Sequence, residues 1–249
     1  MRNIKLTIAY DGSRYRGWQR LGDSDKTIQG KIEAVLSRLT GEAVEINGSG
    51  RTDAGAHANA QIANFKTQAV FTIDELLEFC RTYLPNDIVV YEAKEMPDQF
   101  HARLNAVSKR YLYRIDNGKF PSVFDRYYAW HIERPLLPSI MREAAELLCG
   151  KHDFTSFTSD KAKSKSVRTI NSIEIVESSR MIEIIYDGDG FLYNMVRIMT
   201  GTLVEIGLGE RKVNNITEIF DAKNRTVAGQ MAPAHGLFLQ SVSYKKPTT

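Results

Sequence analysis

Ile4, Leu6, Ile8 and Tyr10 alternate with Lys5, Thr7 and Ala9, the period-two pattern of a half-buried strand, and the pattern stops at the Asp11-Gly12 turn signal. Ile28, Ile32, Val35, Leu36 and Leu39 then recur at spacings of three and four behind Thr27, a residue suited to cap a helix start. Short strands are expected near Val44 to Asn47 and Gln61 to Lys66. A second helix is expected from about Ile73 to Tyr83, with Asp74 and Glu75 in the first turn, where the helix dipole favours negative charge. Ile88 to Glu95 reads as a further strand, and the order is β-α-β-β-α-β. The second half repeats the series: a strand at Ser108 to Asp116, a helix at Pro138 to Leu148, and strands at Thr169 to Val176 and Met181 to Tyr186. A helix with Met195, Ile198, Met199, Thr202, Leu203 and Ile206 on one face follows and ends at Gly207. A final strand runs from about Leu237 to Tyr244. The pattern predicts an α+β fold of two ferredoxin-like domains, residues 1–105 and 106–249, with the boundary near Asn105. Sheets of this kind carry helices on one face and leave the other open. Two open faces side by side would make a long concave floor. The insertion from Lys119 to Arg134, with Phe120, Phe124, Tyr127, Tyr128 and Trp130, is a candidate wall for it.

Composition narrows the class. The 249 residues are 43% hydrophobic and 25% charged, which excludes a disordered, collagen-like or low-complexity chain. Apolar runs such as Ile88 to Tyr91 fall far short of the roughly 20 residues a membrane span needs. The start, Met1-Arg2-Asn3-Ile4-Lys5, carries no apolar leader stretch, so a cytoplasmic location is expected. Cys80 and Cys149 are too few for a disulfide framework or a zinc cluster and read as buried free thiols. His57, His101, His131, His152 and His235 show no metal-ligand spacing, so no metal is predicted.

The net charge of +3 hides a sorted distribution. Residues 1–31 hold seven basic and three acidic side chains and 99–134 again seven and three, whereas 71–98 hold two and seven. Sorting of this kind can give a polyanion one positive face, here a basic central cleft between the two sheets, while ordinary solvated surface is the bland alternative.

Gly48-Ser-Gly-Arg-Thr-Asp-Ala-Gly-Ala-His57 is the most informative stretch. Its glycines, interrupted by Arg, Thr and Asp, describe a tight loop presenting polar side chains between two strands. Gly50-Arg51-Thr52 lacks the lysine and the following helix of a phosphate loop, and Asp53 occupies the third glycine position of a dinucleotide fingerprint. A purely structural turn is the remaining rival. Arg51 and Asp53 in one loop suggest a carboxylate kept ionised in a cleft by a guanidinium, able to act as a base or as a nucleophile. Glycoside hydrolysis would need a second acid nearby, and Asp187 and Asp189 are the only clustered candidates, in a turn-like segment. A single catalytic carboxylate is favoured.

Tyr10-Asp11-Gly12 with Tyr15, Gly17-Trp18-Gln19, Thr27-Ile28-Gln29, Gly50-Arg51-Thr52-Asp53-Ala54-Gly55 and His57-Ala58 together closely resemble the tRNA pseudouridine synthase A family, usually called TruA. The resemblance continues in order through Leu84-Pro85, Asp87-Ile88, Phe100-His-Ala-Arg103, Lys109-Arg110-Tyr111-Leu-Tyr113, His152-Asp-Phe154, Ser156-Phe157 and Arg168-Thr-Ile170. It ends with Gly190-Phe-Leu-Tyr-Asn-Met-Val-Arg197, Ala232-Pro233 and Gly236-Leu237, so it spans essentially the whole chain. Two departures stand out: Ala56 where the family usually carries Val, and Gln230 where it commonly carries Pro.

The resemblance implies an isomerase that turns uridine into pseudouridine in the anticodon stem-loop of tRNA, at positions 38, 39 and/or 40, without cofactor or metal. It implies that Asp53 is the essential group, attacking ribose C1′ or uracil C6 or abstracting a ribose proton in a glycal route. Tyr111 would pack against the target base and move the C5 proton, and Arg197 would pair with the aspartate from the second domain. Arg51 would help displace the target nucleotide from the stem, and Leu237 would line the uracil pocket. Arg14, Arg16, Lys109, Arg110 and Arg126 are candidates for phosphate contacts, and a homodimer is implied. A catalytically silent tRNA-binding protein on the same scaffold is the alternative, and such a relative would be free to lose Asp53, Tyr111 or Arg197, all of which are present.

Overall fold

Alternation along β1 (Arg2–Tyr10) carries Ile4, Leu6 and Ile8 fully out of solvent. In the computed structural model, which describes residues 1–160 and 166–245, β1 runs antiparallel to β3 (His57–Thr67) on one side and β4 (Ile88–Met96) on the other. The chain divides into two units, Met1–Val107 with the chain from Leu239 onward, and Ser108–Phe238. Both mix helices with mostly antiparallel strands.

In the first unit the strands lie in the order β4-β1-β3-β10, where β10 is Leu237–Tyr244. Helix α1 (Ile28–Thr40) starts where the Thr27 hydroxyl accepts the Gly30 N–H and stops at Gly41, whose φ is 72°. Helix α2 (Ile73–Tyr83) opens on a reciprocal cap, in which Thr72 Oγ1 accepts Glu75 N–H at 3.1 Å and Glu75 accepts Thr72 N–H at 2.7 Å. Ile28, Ile32, Leu36, Leu76 and Cys80 are wholly buried, each large aliphatic contributing about 1.5–3 kcal/mol.

Two expectations for this unit change. Of the strand foreseen over Val44–Asn47 only β2 (Asn47–Gly48) forms, paired with β3. The preceding backbone bonds instead to side chains of α1: Val44 N–H to Ser37 Oγ at 2.9 Å and Ile46 N–H to Glu33 Oε1 at 3.0 Å. The face opposite the helices is also partly covered. Buried Asn3 donates to the carbonyls of Pro97 and Phe100, and buried Asn64 accepts Ala102 N–H at 2.8 Å, which lays the chain after β4 across that face.

In the second unit β5 (Ala106–Asp116), β9 (Met181–Gly188), β8 (Val167–Ser178) and β7 (Gly150–Asp153) form an antiparallel series. A short β6 (Trp130–His131) runs parallel to the end of β5. Helices α3 (Pro138–Leu148), α4 (Met195–Gly207) and α5 (Asn215–Ala222) complete it. The sequence pattern missed β6, β7 and α5, which are too short to show a period. It also assigned the whole stretch to 249 to the second domain, whereas the chain from Leu239 belongs to the first unit. Cys80 is buried as expected, but Cys149, which follows α3, is only half-buried.

The 119–134 insertion is clamped at its base. Asp116, buried, takes two bonds of 2.7 Å from the Arg180 guanidinium and accepts the N–H groups of Gly118 and Ser122. Its outer part leaves Phe120 and Phe124 71% and 88% exposed. Among the described residues no helix is long and apolar enough to cross a membrane.

Candidate active site

The loop from Gly48 to Ala56 is held by its neighbours in the first unit at successive residues. Ser49 N–H donates to the Ile62 carbonyl at 2.7 Å. Gln61, fully buried, accepts from the Ser49 hydroxyl at 2.6 Å and donates to the Gly50 carbonyl at 3.0 Å. Thr52 is fixed twice: its carbonyl accepts Trp18 N–H at 3.1 Å, and its hydroxyl lies 2.7 Å from that of Tyr10 in a buried setting. Ala56 N–H closes a turn on the Asp53 carbonyl at 3.1 Å. Close approach of the Gly17 segment makes this possible, since a Cβ at Gly17 would stand 2.7 Å from the Thr52 oxygen and the residue has φ +95°. Burial pushes the Tyr10 hydroxyl well up, so it stays a neutral hydrogen-bonding group.

With Thr52 buried between them, Asp53 is half-buried and Arg51 exposed. The Arg51 Nε donates to Gln19 Oε1 at 3.1 Å. The loop leads into His57, buried, whose Nδ1 accepts Gly12 N–H at 3.1 Å. Arg14 and Arg16 lie on the preceding segment, Arg14 bonded through Nε to Asp87 at 3.0 Å and Arg16 3.6 Å from Asp23.

The second unit holds the other expected residues. Tyr111 on β5 is buried opposite Tyr186 of β9 and meets Phe191 edge-on at 5.1 Å. Arg197, in the first turn of α4, donates from Nε to the Ala232 carbonyl at 2.8 Å and from Nη1 to Asn194 Oδ1 at 3.2 Å. The Arg197 carbonyl in turn accepts Ala232 N–H at 3.1 Å. The segment bearing Ala232 lies directly on α4, because a Cβ at Gly201 would stand 1.9 Å from the Gln230 oxygen. Gln230, a departure from the family pattern, gives its N–H to Glu205 Oε1 at 2.7 Å, a bond a proline could not make. Leu237 is buried just beyond the turn Ala234–Gly236, and Tyr113 ties that stretch down through its hydroxyl to the Pro233 carbonyl at 2.7 Å. Burial pushes His235 below its ordinary value; the bond to the Ala129 carbonyl opposes this and the Arg197 cation adds to it.

The phosphate candidates of this unit differ in setting. Alternation places Lys109 on the face of Tyr111 and Arg110 on the other. There Arg110 stands 3.7 Å from Glu174 and 3.8 Å from Asp187. Arg126 is exposed, bonded to the Val123 carbonyl and stacked 4.3 Å over the Tyr127 ring. Residues the sequence did not single out are Tyr10 and Gln61, which hold the loop, Gln19, which holds Arg51, and Asn194. Tyr10, Gln19 and Asn194 sit inside the motifs quoted above, so only their partners were hidden. Among the described residues no three of His, Cys, Asp and Glu come together as a metal site requires.

Comparison with known proteins gives this arrangement its context. The family profile described as tRNA pseudouridine synthase matches residues 6–105 and 144–245, which takes in the Asp53 loop, Arg197 and Leu237 but not Tyr111. The chain is 51% identical to tRNA pseudouridine synthase A of Bacillus sp. (strain KSM-64), over 98% of this chain and 100% of that one. It is 45% identical to tRNA pseudouridine synthase A 2 of Bacillus anthracis and 48% identical to tRNA pseudouridine synthase A 1 of Clostridium tetani (strain Massachusetts / E88), with the same coverage. Among solved structures it aligns with one titled Crystal Structure of a Cbf5-Nop10-Gar1 Complex, at 11% identity and a TM-score of 0.38, over 95% of this chain and about half, 48%, of that one. On the full-length sequence matches, the chain belongs to the tRNA pseudouridine synthase A, or TruA, family.

Proposed function

We propose that the protein isomerises uridine to pseudouridine in the anticodon stem-loop of tRNA, at positions 38, 39 and/or 40, with Asp53 as the essential carboxylate. The reaction breaks the N1–C1′ bond, turns the base, forms the C5–C1′ bond, and releases the hydrogen of C5 as a proton while the freed N1 takes one up. Asp53 serves it by attack on C1′ or C6 or by taking a ribose proton. The observation that carries this reading is the pinned Arg51-Thr52-Asp53 segment inside the region that the family profile matches. A carboxylate on a loop fixed at Ser49, Gly50, Thr52 and Ala56 keeps its position before substrate arrives, which is the condition for an attacking group to be pre-oriented.

Tyr111, Arg197 and Leu237 take the base-packing, aspartate-pairing and pocket-lining roles. Arg51, exposed beside the carboxylate, fills the space a flipped nucleotide vacates, offsetting part of an unstacking cost of a few kcal/mol. Two ferredoxin-like halves presenting a basic face, a cytoplasmic location and a homodimer belong to the same reading. The β4-β1-β3 order around β1 and the basic blocks at 1–31 and 99–134 support it.

The test is tritium release from tRNA transcripts carrying C5-labelled uridine, with wild type and Asp53→Ala in parallel, followed by chemical mapping of the modified position. Release by wild type and a loss of several orders of magnitude in Asp53→Ala, with tRNA affinity retained, is the expected result. Substantial turnover by the variant overturns the assignment of Asp53, and binding without release by wild type favours a silent binder.

A further inference from the structure

We propose that Phe191 is a positioning residue for Tyr111 and sets the plane of its ring, an assignment that rests on the role given to Tyr111 above. The two rings meet edge-on, with centroids 5.1 Å apart and planes at 84°, the perpendicular arrangement that ring quadrupoles favour. Tyr111 is buried and Phe191 half-buried.

The plane of a tyrosine ring has to be set from beside it. The hydroxyl oxygen lies on the Cβ–Cγ axis, so whatever the hydroxyl bonds to, the ring can turn about that axis without moving the oxygen. Turning changes two things. It tilts the surface offered to a base, and, because conjugation keeps the O–H in the ring plane, it swings the direction in which a proton is given or taken. A second ring standing perpendicular to the first blocks that turn.

Phe191 is brought there by the backbone around it. Gly188 stands opposite Lys109 and Tyr186 opposite Tyr111, so alternation puts position 188 on the face that carries Lys109 and Tyr111. A Cβ at Gly188 would stand 3.3 Å from Phe191 Cζ and 2.9 Å from the Thr169 oxygen, so the missing side chain makes room for the Phe191 ring to fold back. The segment is fixed on both sides of that ring. Asp189 N–H donates to the Thr169 carbonyl and Thr169 N–H to Asp189 Oδ1, each at 3.0 Å. Asp189, a candidate second acid in the sequence, thus serves this turn. On the other side, Met195 N–H donates to the Leu192 carbonyl at 3.1 Å and ties the segment to the start of α4. Tyr186, the cross-strand neighbour of Tyr111, is fully buried with its hydroxyl 2.8 Å from that of Thr200, which anchors the strand below the pair.

The experiment compares Phe191→Leu, Phe191→Tyr, Tyr111→Phe and the Phe191→Leu, Tyr111→Phe double variant in full-length protein. It reads kcat and KM on tRNA, the thermal midpoint, and the isotope effect on turnover when uridine C5 carries deuterium. Leucine fills the space with apolar atoms but offers no flat wall. Phe191→Leu should hold KM and the midpoint near wild type while kcat falls about ten- to a hundredfold, the cost of a misplaced reacting group. Its C5 isotope effect should rise above the wild-type value, because removal of that hydrogen becomes the slow step, and Tyr111→Phe should show the same rise. Phe191→Tyr keeps a ring in place and should recover most of kcat. The double variant should be no slower than Tyr111→Phe alone. A structural defect lowers the active fraction, which cancels in a ratio of rates, so a lower kcat with an unchanged isotope effect overturns the proposal. Wild-type kcat in Phe191→Leu, or a fall that Phe191→Tyr does not recover, overturns it as well. Tyr111→Phe separates the two levels: wild-type turnover and isotope effect there sink the role of Tyr111 itself, whereas an impaired Tyr111→Phe beside a fully active Phe191→Leu sinks only the role of Phe191.

Discussion

Thr52 illustrates how a reactive side chain is placed by its neighbour rather than by itself. Its hydroxyl and carbonyl are both committed inside the protein, so Arg51 and Asp53 are left on the accessible side. Tyr10→Phe strips one partner from that buried hydroxyl, and an unsatisfied buried group costs about 1–3 kcal/mol. Denaturant unfolding should show a loss in that range with reduced turnover, and an unchanged midpoint with unchanged kcat would mean the loop is held elsewhere. The basic residues can be ranked in the same way. Arg110 stands near two carboxylates, whereas Arg126 lies exposed on an aromatic ring, so a phosphate competes far better for Arg126. Arg126→Ala should weaken tRNA binding and reduce the slope of log affinity against log salt by about one, and Arg110→Ala should do less on both counts. The reverse ranking in a salt titration would refute the argument from partners. At this scale the Gly50-Arg51-Thr52-Asp53 spacing was readable in the sequence because a motif is local. The Tyr10–Thr52 bond was not, because it joins residues 42 apart.

Elements were legible where their ends carry their own chemistry. Helix α2 falls on Ile73–Tyr83 as expected, because Thr72 and Glu75 cap each other and the start is written in four residues. The strand expected at Val44–Asn47 failed for the opposite reason: its apolar residues are buried, but Glu33 and Ser37 reach the backbone groups a partner strand would have used. Helix α5 has eight residues and no side-chain cap bond, so no period or boundary announced it. The end of β5 supplies a prediction about pH. Burial pushes the Asp116 carboxyl up, but the Arg180 bonds and the N–H groups of Ser122 and Gly118 more than reverse this and leave it below the ordinary carboxylate range. A carboxylate held low in the folded state adds stability that is fully present above about pH 4 and is lost as the pH falls through its folded value. Unfolding midpoints measured from pH 7 to pH 2 should therefore fall more steeply for wild type than for Asp116→Asn below about pH 4. Parallel curves would show that the Arg180 clamp contributes nothing to acid sensitivity.

At the level of the molecule, periodicity recovered two similar half-chains but could not say which unit the last strand would join, since alternation reports burial and not partner. The answer bears on truncation. Ending the chain at Phe238 removes the β10 residues that complete the β4-β1-β3-β10 order and the Tyr244 hydroxyl that bonds the Ala102 carbonyl at 2.7 Å, while Ser108–Phe238 is kept. Hydrogen exchange on such a variant should show protection lost across β3 and the 97–105 segment and retained across β8 and β9. Equal loss in both units would mean they unfold as one.

The return of β10 to the first unit also sets an order in time. During synthesis the Asp53 loop emerges early, attached to a β3 strand whose outer edge waits for residues made more than a hundred positions later. The Ser108–Phe238 unit has all its residues before that edge can be paired. Until Leu239–Tyr244 leaves the ribosome, β3 presents, beyond the short stretch that β2 covers, an unpaired rim of the kind that other chains can join. Nascent chains stalled short of that point should recruit holding chaperones to the unit that was translated first.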